Sequence, residues 1–123
     1  MKKAKIKILV ADDNYAILDA LKIMLEEEGY SVETTEDGAV AQNIKAPLPD
    51  LLLLDVWMSG MDGRDVCKFL KSNEATKHIP IILVSATKDI EQIAHESGAD
   101  DFVSKPFQMD HLLATVAKHA GNQ

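Results

Sequence analysis

The chain has 123 residues, with 13 Lys+Arg against 20 Asp+Glu and a net charge of −7 when histidine is neutral. That is one domain's worth of chain, and 46% hydrophobic with 27% charged residues excludes a disordered, collagen-like or disulfide-scaffold protein. The acidic balance also argues against a nucleic-acid interface, which needs a basic surface to displace counterions from phosphate; the one basic cluster is Lys2, Lys3, Lys5 and Lys7.

In chain order, the first apolar run is Ile6 to Ala11, a strand that stops at Asp12-Asp13. Asn14 then reads as the N-cap of a helix with Ile17, Leu18, Leu21, Met24 and Leu25 on its apolar face and Gly29 as its stop. A second strand over Tyr30 to Thr35 leads to a short helix opened by Asp37 and closed before Pro47. Leu51 to Leu54 form a third strand ending in Asp55, followed by a loop to Gly63 and a helix with Val66, Phe69 and Leu70 on one side. Ile79 to Val84 is the fourth strand, and its helix turns Ile90, Ile93 and Ala94 inward before Gly98. Phe102-Val103 is the fifth, followed by a helix with Met109, Leu112, Leu113 and Val116 inward.

Strict strand-helix alternation predicts an α/β fold, a parallel sheet wound on both faces. Strands one, three and four are almost continuously apolar, as strands covered on both sides must be, whereas strand two alternates and strand five is short, as edges are. The predicted order is therefore 2-1-3-4-5, the flavodoxin-like doubly wound (βα)5 arrangement, whose ligand crevice lies at the carboxyl ends of strands one and three. Asp12, Asp13 and Asp55 all fall there. Singly, each is an ordinary helix cap; together they repel unless a hard divalent cation neutralises them, which predicts a Mg²⁺ site. Ser85 after strand four and Lys105-Pro106 after strand five reach the same sheet edge. A carboxylate nucleophile, a metal, a hydroxyl and an ammonium are the set needed to receive and hold a phosphoryl group.

From about Lys5 to about His119 the chain resembles the receiver (REC) domain of two-component response regulators, of the chemotaxis-receiver kind. The resemblance rests on Asp12-Asp13, on Leu53-Leu54-Asp55 followed by Met61-Asp62-Gly63, on Ser85-Ala86, on Phe102 and on Lys105-Pro106-Phe107, all in family order. It implies that residues 1–123 are one receiver domain and that Asp55 accepts a phosphoryl group from a sensor histidine kinase or phosphotransfer protein. It further implies Mg²⁺ held by Asp12, Asp13, Asp55 and the backbone carbonyl of Trp57, with Lys105 and Ser85 on phosphoryl oxygens and a cis bond at Lys105-Pro106. Ser85 and Phe102 would be the switch pair that remodels the surface of the fourth helix, fifth strand and fifth helix, through which an unidentified target protein is controlled.

Four positions bear on that reading. Phe102 stands where tyrosine is commoner and lacks its hydroxyl; Ser59 stands where proline is usual; and Trp57 with Thr87 would flank the entry of the hydrolytic water, so that the indole shields the acyl phosphate. Cys67 as the single cysteine excludes an intrachain disulfide, and His78, His95, His111 and His119 lack metal-ligand spacing. No apolar run approaches the roughly 20 residues of a membrane span, and the start lacks a signal-peptide pattern. A cytoplasmic protein without membrane insertion is the expectation.

Three other readings compete. A metal-dependent phosphatase would place its aspartate in an Asp-x-Asp loop after strand one with an added cap domain, whereas here the loop reads Asp12-Asp13-Asn14. A flavin-binding module would offer Ser, Thr, Gly and backbone amides there in place of two carboxylates. A receiver that acts only as an interaction surface would leave the complete acidic and lysine set without a use.

Overall fold

The third strand organises the molecule. A computed structural model describes residues 5–58 and 60–120; Lys2, Lys3 and Ser59, singled out above, lie outside them. Strand β3 (Leu51–Asp55) is buried along its whole length and has helices over both sheet faces. Because successive side chains alternate across a strand, Leu51 and Leu53 enter one core with Leu18, Leu21 and Leu25 of α1 (Tyr15–Glu27) and Leu112 and Val116 of α5 (Met109–Ala120). Leu52 and Leu54 enter the other, with Ala41 of α2 (Gly38–Gln42), Val66 and Leu70 of α3 (Gly63–Ser72) and Ile90 and Ile93 of α4 (Ile90–Ser97). An unbroken leucine run is what two hydrophobic cores demand of the strand between them.

Around it, β1 (Lys7–Ala11) and β6 (Ile81–Ser85) pair in parallel on either side, and β2 (Ser31–Thr35) and β7 (Asp101–Ser104) form the edges. The sheet order β2-β1-β3-β6-β7 is the expected 2-1-3-4-5. The edge strands have the mixed exposure predicted from their composition. Asn14 and Asp37 cap α1 and α2 as expected, each side chain accepting a backbone N–H in the first turn. Gly98 closes α4 in the left-handed region at φ 82°, where a Cβ would be strained.

Three local expectations are corrected. The stretch after Asp55 is a small antiparallel hairpin, β4 (Trp57–Met58) with β5 (Met61–Asp62), in place of a plain loop. Phe69 is exposed on α3, because the inward stripe runs through Val66, Cys67 and Leu70. Met109 is likewise exposed, since it stands at the first turn of α5 before the helix reaches the sheet, and Thr115 and Ala120 complete the buried face.

The hairpin folds back so tightly that Gly63, at the start of α3, lies against the backbone of Asp55 and Val56. Its N–H donates to the Val56 carbonyl at 2.7 Å, and a Cβ there would collide with the Asp55 carbonyl oxygen and stand 2.9 Å from Val56 Cα. Backbone cannot yield as a flexible side chain can. Gly63→Ala is therefore expected to destabilise the chain by about 2–3 kcal/mol, read as a lowered urea midpoint with an unchanged slope.

Candidate functional site

Each acidic residue reaches the crevice by a different local device. Asp12 follows β1 directly, its N–H donating to the Thr35 carbonyl of β2 at 3.1 Å. Its carboxylate accepts the Asn14 N–H at 2.9 Å, which turns the chain into α1. Asp13 projects outward and is exposed. Asp55 is the last residue of β3 and is 6% exposed, held from behind by the Gly63 contact. One carboxylate oxygen from each of the three lies within 4.8 Å of the others.

Lys105 arrives from the far side of the sheet. Its backbone N–H donates to the Ser85 carbonyl at 2.9 Å, and the Lys105-Pro106 peptide is cis, as the resemblance implies. From there the ammonium donates to Asp12 Oδ2 at 2.8 Å and stands 3.7 Å from Asp55 Oδ2. One ammonium against three carboxylates leaves the crevice with an uncompensated negative charge.

Asp55 registers that imbalance. Burial, and then the charge of Asp12, push its carboxyl from an ordinary 3.8 up to about 6, against the opposing pull of Lys105 and the Trp57 backbone N–H. The donor set is all hard oxygen, converging from three carboxylates at the edge of solvent. That suits Mg²⁺, which prefers a few carboxylates with waters completing its octahedron; the acidic trio could hold such an ion.

Ser85 closes β6 at 1% exposure. Its hydroxyl accepts the Thr87 N–H at 3.2 Å and shares a hydrogen bond with Thr87 Oγ1 at 3.0 Å. Trp57 sits on the hairpin with its ring about half exposed, and its indole N–H donates to the same Thr87 oxygen at 2.8 Å. Phe102 is set apart from the crevice, half-buried on β7 and packed against the core shared with α3 and α4.

Sequence reasoning missed Arg64. Its guanidinium lies over the Trp57 ring, 4.9 Å from the centroid, and binds Asp62 through two nitrogens at 2.6–3.1 Å. That pairing holds the Asp62 carboxyl below the usual carboxylate range. The only sequence sign was Asp62 as an N-cap with arginine two residues on. Also unforeseen is His119 on α5, whose Nε2 meets Asp101 Oδ2 at 2.8 Å beside Phe102. Cys67 is the packing residue expected, with burial raising its thiol to about 11.

Comparison with known proteins agrees with this geometry. Residues 8–117 match the model of the response regulator receiver domain. The chain is 39% identical over 113 residues to the DNA-binding dual master transcriptional regulator RpaA of Synechocystis sp., a match covering 89% of this chain and 47% of that protein. It is 44% identical over 115 residues to the response regulator PleD of Caulobacter vibrioides, covering 89% of this chain and 25% of that one. The chain thus spans about half or less of the length of these relatives. Among solved structures, the signal receiver domain of a signal transduction histidine kinase from Syntrophus aciditrophicus superposes with a TM-score of 0.85 at 33% identity, covering 94% of this chain and 89% of that one.

The fold and crevice define a receiver module of phosphorelay signalling. The chain belongs to the response regulator receiver domain family.

The raised Asp55 carboxyl has a consequence for stability. Between about pH 4 and 6 the unfolded chain releases this proton before the folded one does, so the parent loses stability as pH rises through that window. A shift from 3.8 to about 6 corresponds to about 3 kcal/mol. In metal-free buffer at pH 7.5, Asp55→Asn is therefore expected to be more stable than the parent by about 1–3 kcal/mol, and to lose that advantage near pH 4. Urea titrations at the two pH values check this.

Proposed function

We propose that this chain is a phosphorylation-controlled switch whose acceptor is Asp55. The observation that carries the reading is a buried carboxylate at a strand end, ringed by Asp12, Asp13 and an ammonium within 3.7 Å. An Asp55 carboxylate oxygen attacks phosphorus, forming a P–O bond as the P–N bond to a phosphohistidine breaks. The released electron pair stays on the imidazole nitrogen. The donor would be a sensor histidine kinase or phosphotransfer protein, which supplies the energy while this domain supplies the position.

Mg²⁺ would be held by Asp12, Asp13, Asp55 and the Trp57 backbone carbonyl, and when bound it neutralises charge on the transferring group. The chain's own residues do the rest. Lys105 moves from Asp12 and Asp55 to a phosphoryl oxygen, and the Ser85 hydroxyl takes another. Ser85 and Phe102 then act as the switch pair, changing the surface of α4, β7 and α5 on which a target protein docks. Asp55 is filled once per transfer, so the chain is a stoichiometric acceptor with slow hydrolysis in place of a turnover enzyme. Residues 1–123 would form one such receiver in the cytoplasm, with no nucleic-acid contact through this chain.

Intact mass after incubation with acetyl phosphate tests the reading. A single phosphoryl adduct is expected with Mg²⁺, none after EDTA and none for Asp55→Asn; an adduct that survives in Asp55→Asn would move the acceptor elsewhere. The shielding ring adds a second expectation. Trp57→Ala should lose its phosphoryl group faster than the parent, by about threefold or more given the area of indole removed, followed by the decay of the adduct mass over time.

A further inference from the structure

Ser85 can assist a phosphoryl oxygen only if its own hydrogen is free, and its hydrogen bonds bear directly on that. Its oxygen accepts the Thr87 N–H, and the 3.0 Å contact with Thr87 Oγ1 carries a single hydrogen that either hydroxyl can give. If Ser85 gives it, nothing remains for a phosphoryl oxygen. If Thr87 gives it, Ser85 is filled as an acceptor by two donors from one residue, and its own hydrogen turns outward. The bond between the two hydroxyls therefore has two polarities, of which one suits the reaction.

The third member of the chain is a group that only donates. The Trp57 indole N–H has no acceptor capacity, and it is bound to Thr87 Oγ1 at 2.8 Å. An N–H placed on that oxygen occupies one lone pair and draws density from it, which makes the remaining O–H a stronger donor and the oxygen a weaker acceptor for Ser85. The ring is fixed from its face by Arg64, itself clamped to Asp62 on the hairpin. Donor and direction are thus set by β4 and β5, outside the strand that carries Ser85.

We infer that Trp57 is a positioning residue for phosphoryl transfer: its indole N–H polarises a Trp57–Thr87–Ser85 chain so that the Ser85 hydrogen is delivered to a phosphoryl oxygen on Asp55. The inference rests on the acceptor reading above and differs from shielding, because it needs the N–H and not the bulk of the ring. Trp57 is 54% exposed, so replacing it leaves both cores intact.

The test uses the full chain with acetyl phosphate and Mg²⁺, following the phosphorylation rate against donor concentration. Trp57→Phe keeps a ring without the N–H, and is expected to lower the saturating rate about three- to tenfold, the worth of one neutral hydrogen bond, with the half-saturating donor concentration unchanged. Thr87→Val removes the competing acceptor together with the donor and should cost less than Trp57→Phe, Thr87→Ser should keep the parental rate, and Trp57→Phe should cost nothing further in a Thr87→Val or Ser85→Ala background. A readout independent of rate comes from the single tryptophan, whose indole ¹H–¹⁵N resonance should move upfield in Thr87→Val. Adding beryllium fluoride with Mg²⁺ should move it downfield in the parent and leave it in place in Ser85→Ala. A parental rate for Trp57→Phe, an undiminished effect in the Ser85→Ala background, or a resonance indifferent to Thr87→Val would each overturn the inference while leaving the acceptor reading standing. A parent that gains no phosphoryl group on Asp55 overturns both.

Discussion

Mutual repulsion among Asp12, Asp13 and Asp55 is the constraint around which the rest of the molecule is arranged. Three carboxylates converging at one edge of a low-dielectric sheet would separate if the backbone could yield. Lys105 relieves part of the repulsion from the fifth strand of the sheet, reaching Asp12 across 93 residues of sequence. Burial, and then what is left of that repulsion, raise the Asp55 carboxyl. The energy stored in the arrangement is returned when positive charge arrives.

Holding such a site requires a stiff frame, and the two cores provide it. β3 is sandwiched on both faces by helices, and its final residue has no route away from Asp12. The Gly63 contact closes the remaining side, since α3 begins against the backbone that carries Asp55. The same close approach sends the chain out into the β4–β5 hairpin. Trp57 is placed there, within reach of Thr87 on the opposite lip of the crevice. Packing, the position of Asp55 and the hydroxyl network are therefore linked through a few residues of backbone.

The polar groups divide by how firmly they are tied. Asp12 and Lys105 are buried or nearly so and bonded to each other. Ser85 and Thr87 hold each other through the Thr87 backbone N–H and one hydroxyl–hydroxyl bond that can run either way. Phe102 and Asp101 lie farther out on the edge strand β7, where Asp101 pairs with His119 of α5.

Much of this was legible before any coordinates. Strand-helix alternation and the unequal apolarity of the strands set the order 2-1-3-4-5, because parallel crossovers and double burial leave few alternatives. Acids at the ends of strands one and three could then meet only at one crevice, and Asn14, Asp37 and Gly98 marked their helix ends through local backbone chemistry. Tertiary structure decided what local pattern could not. The hairpin after Asp55 forms as Gly63 folds back on the backbone of Asp55 and Val56; Phe69 faces outward because the rotation of a helix on its sheet is set by its neighbours. The Arg64–Trp57–Thr87–Ser85 chain joins residues whose side chains carry no sequence signal of one another. Periodicity reports which face of an element avoids water, whereas the direction of a single hydrogen bond depends on atoms that only the folded chain brings together.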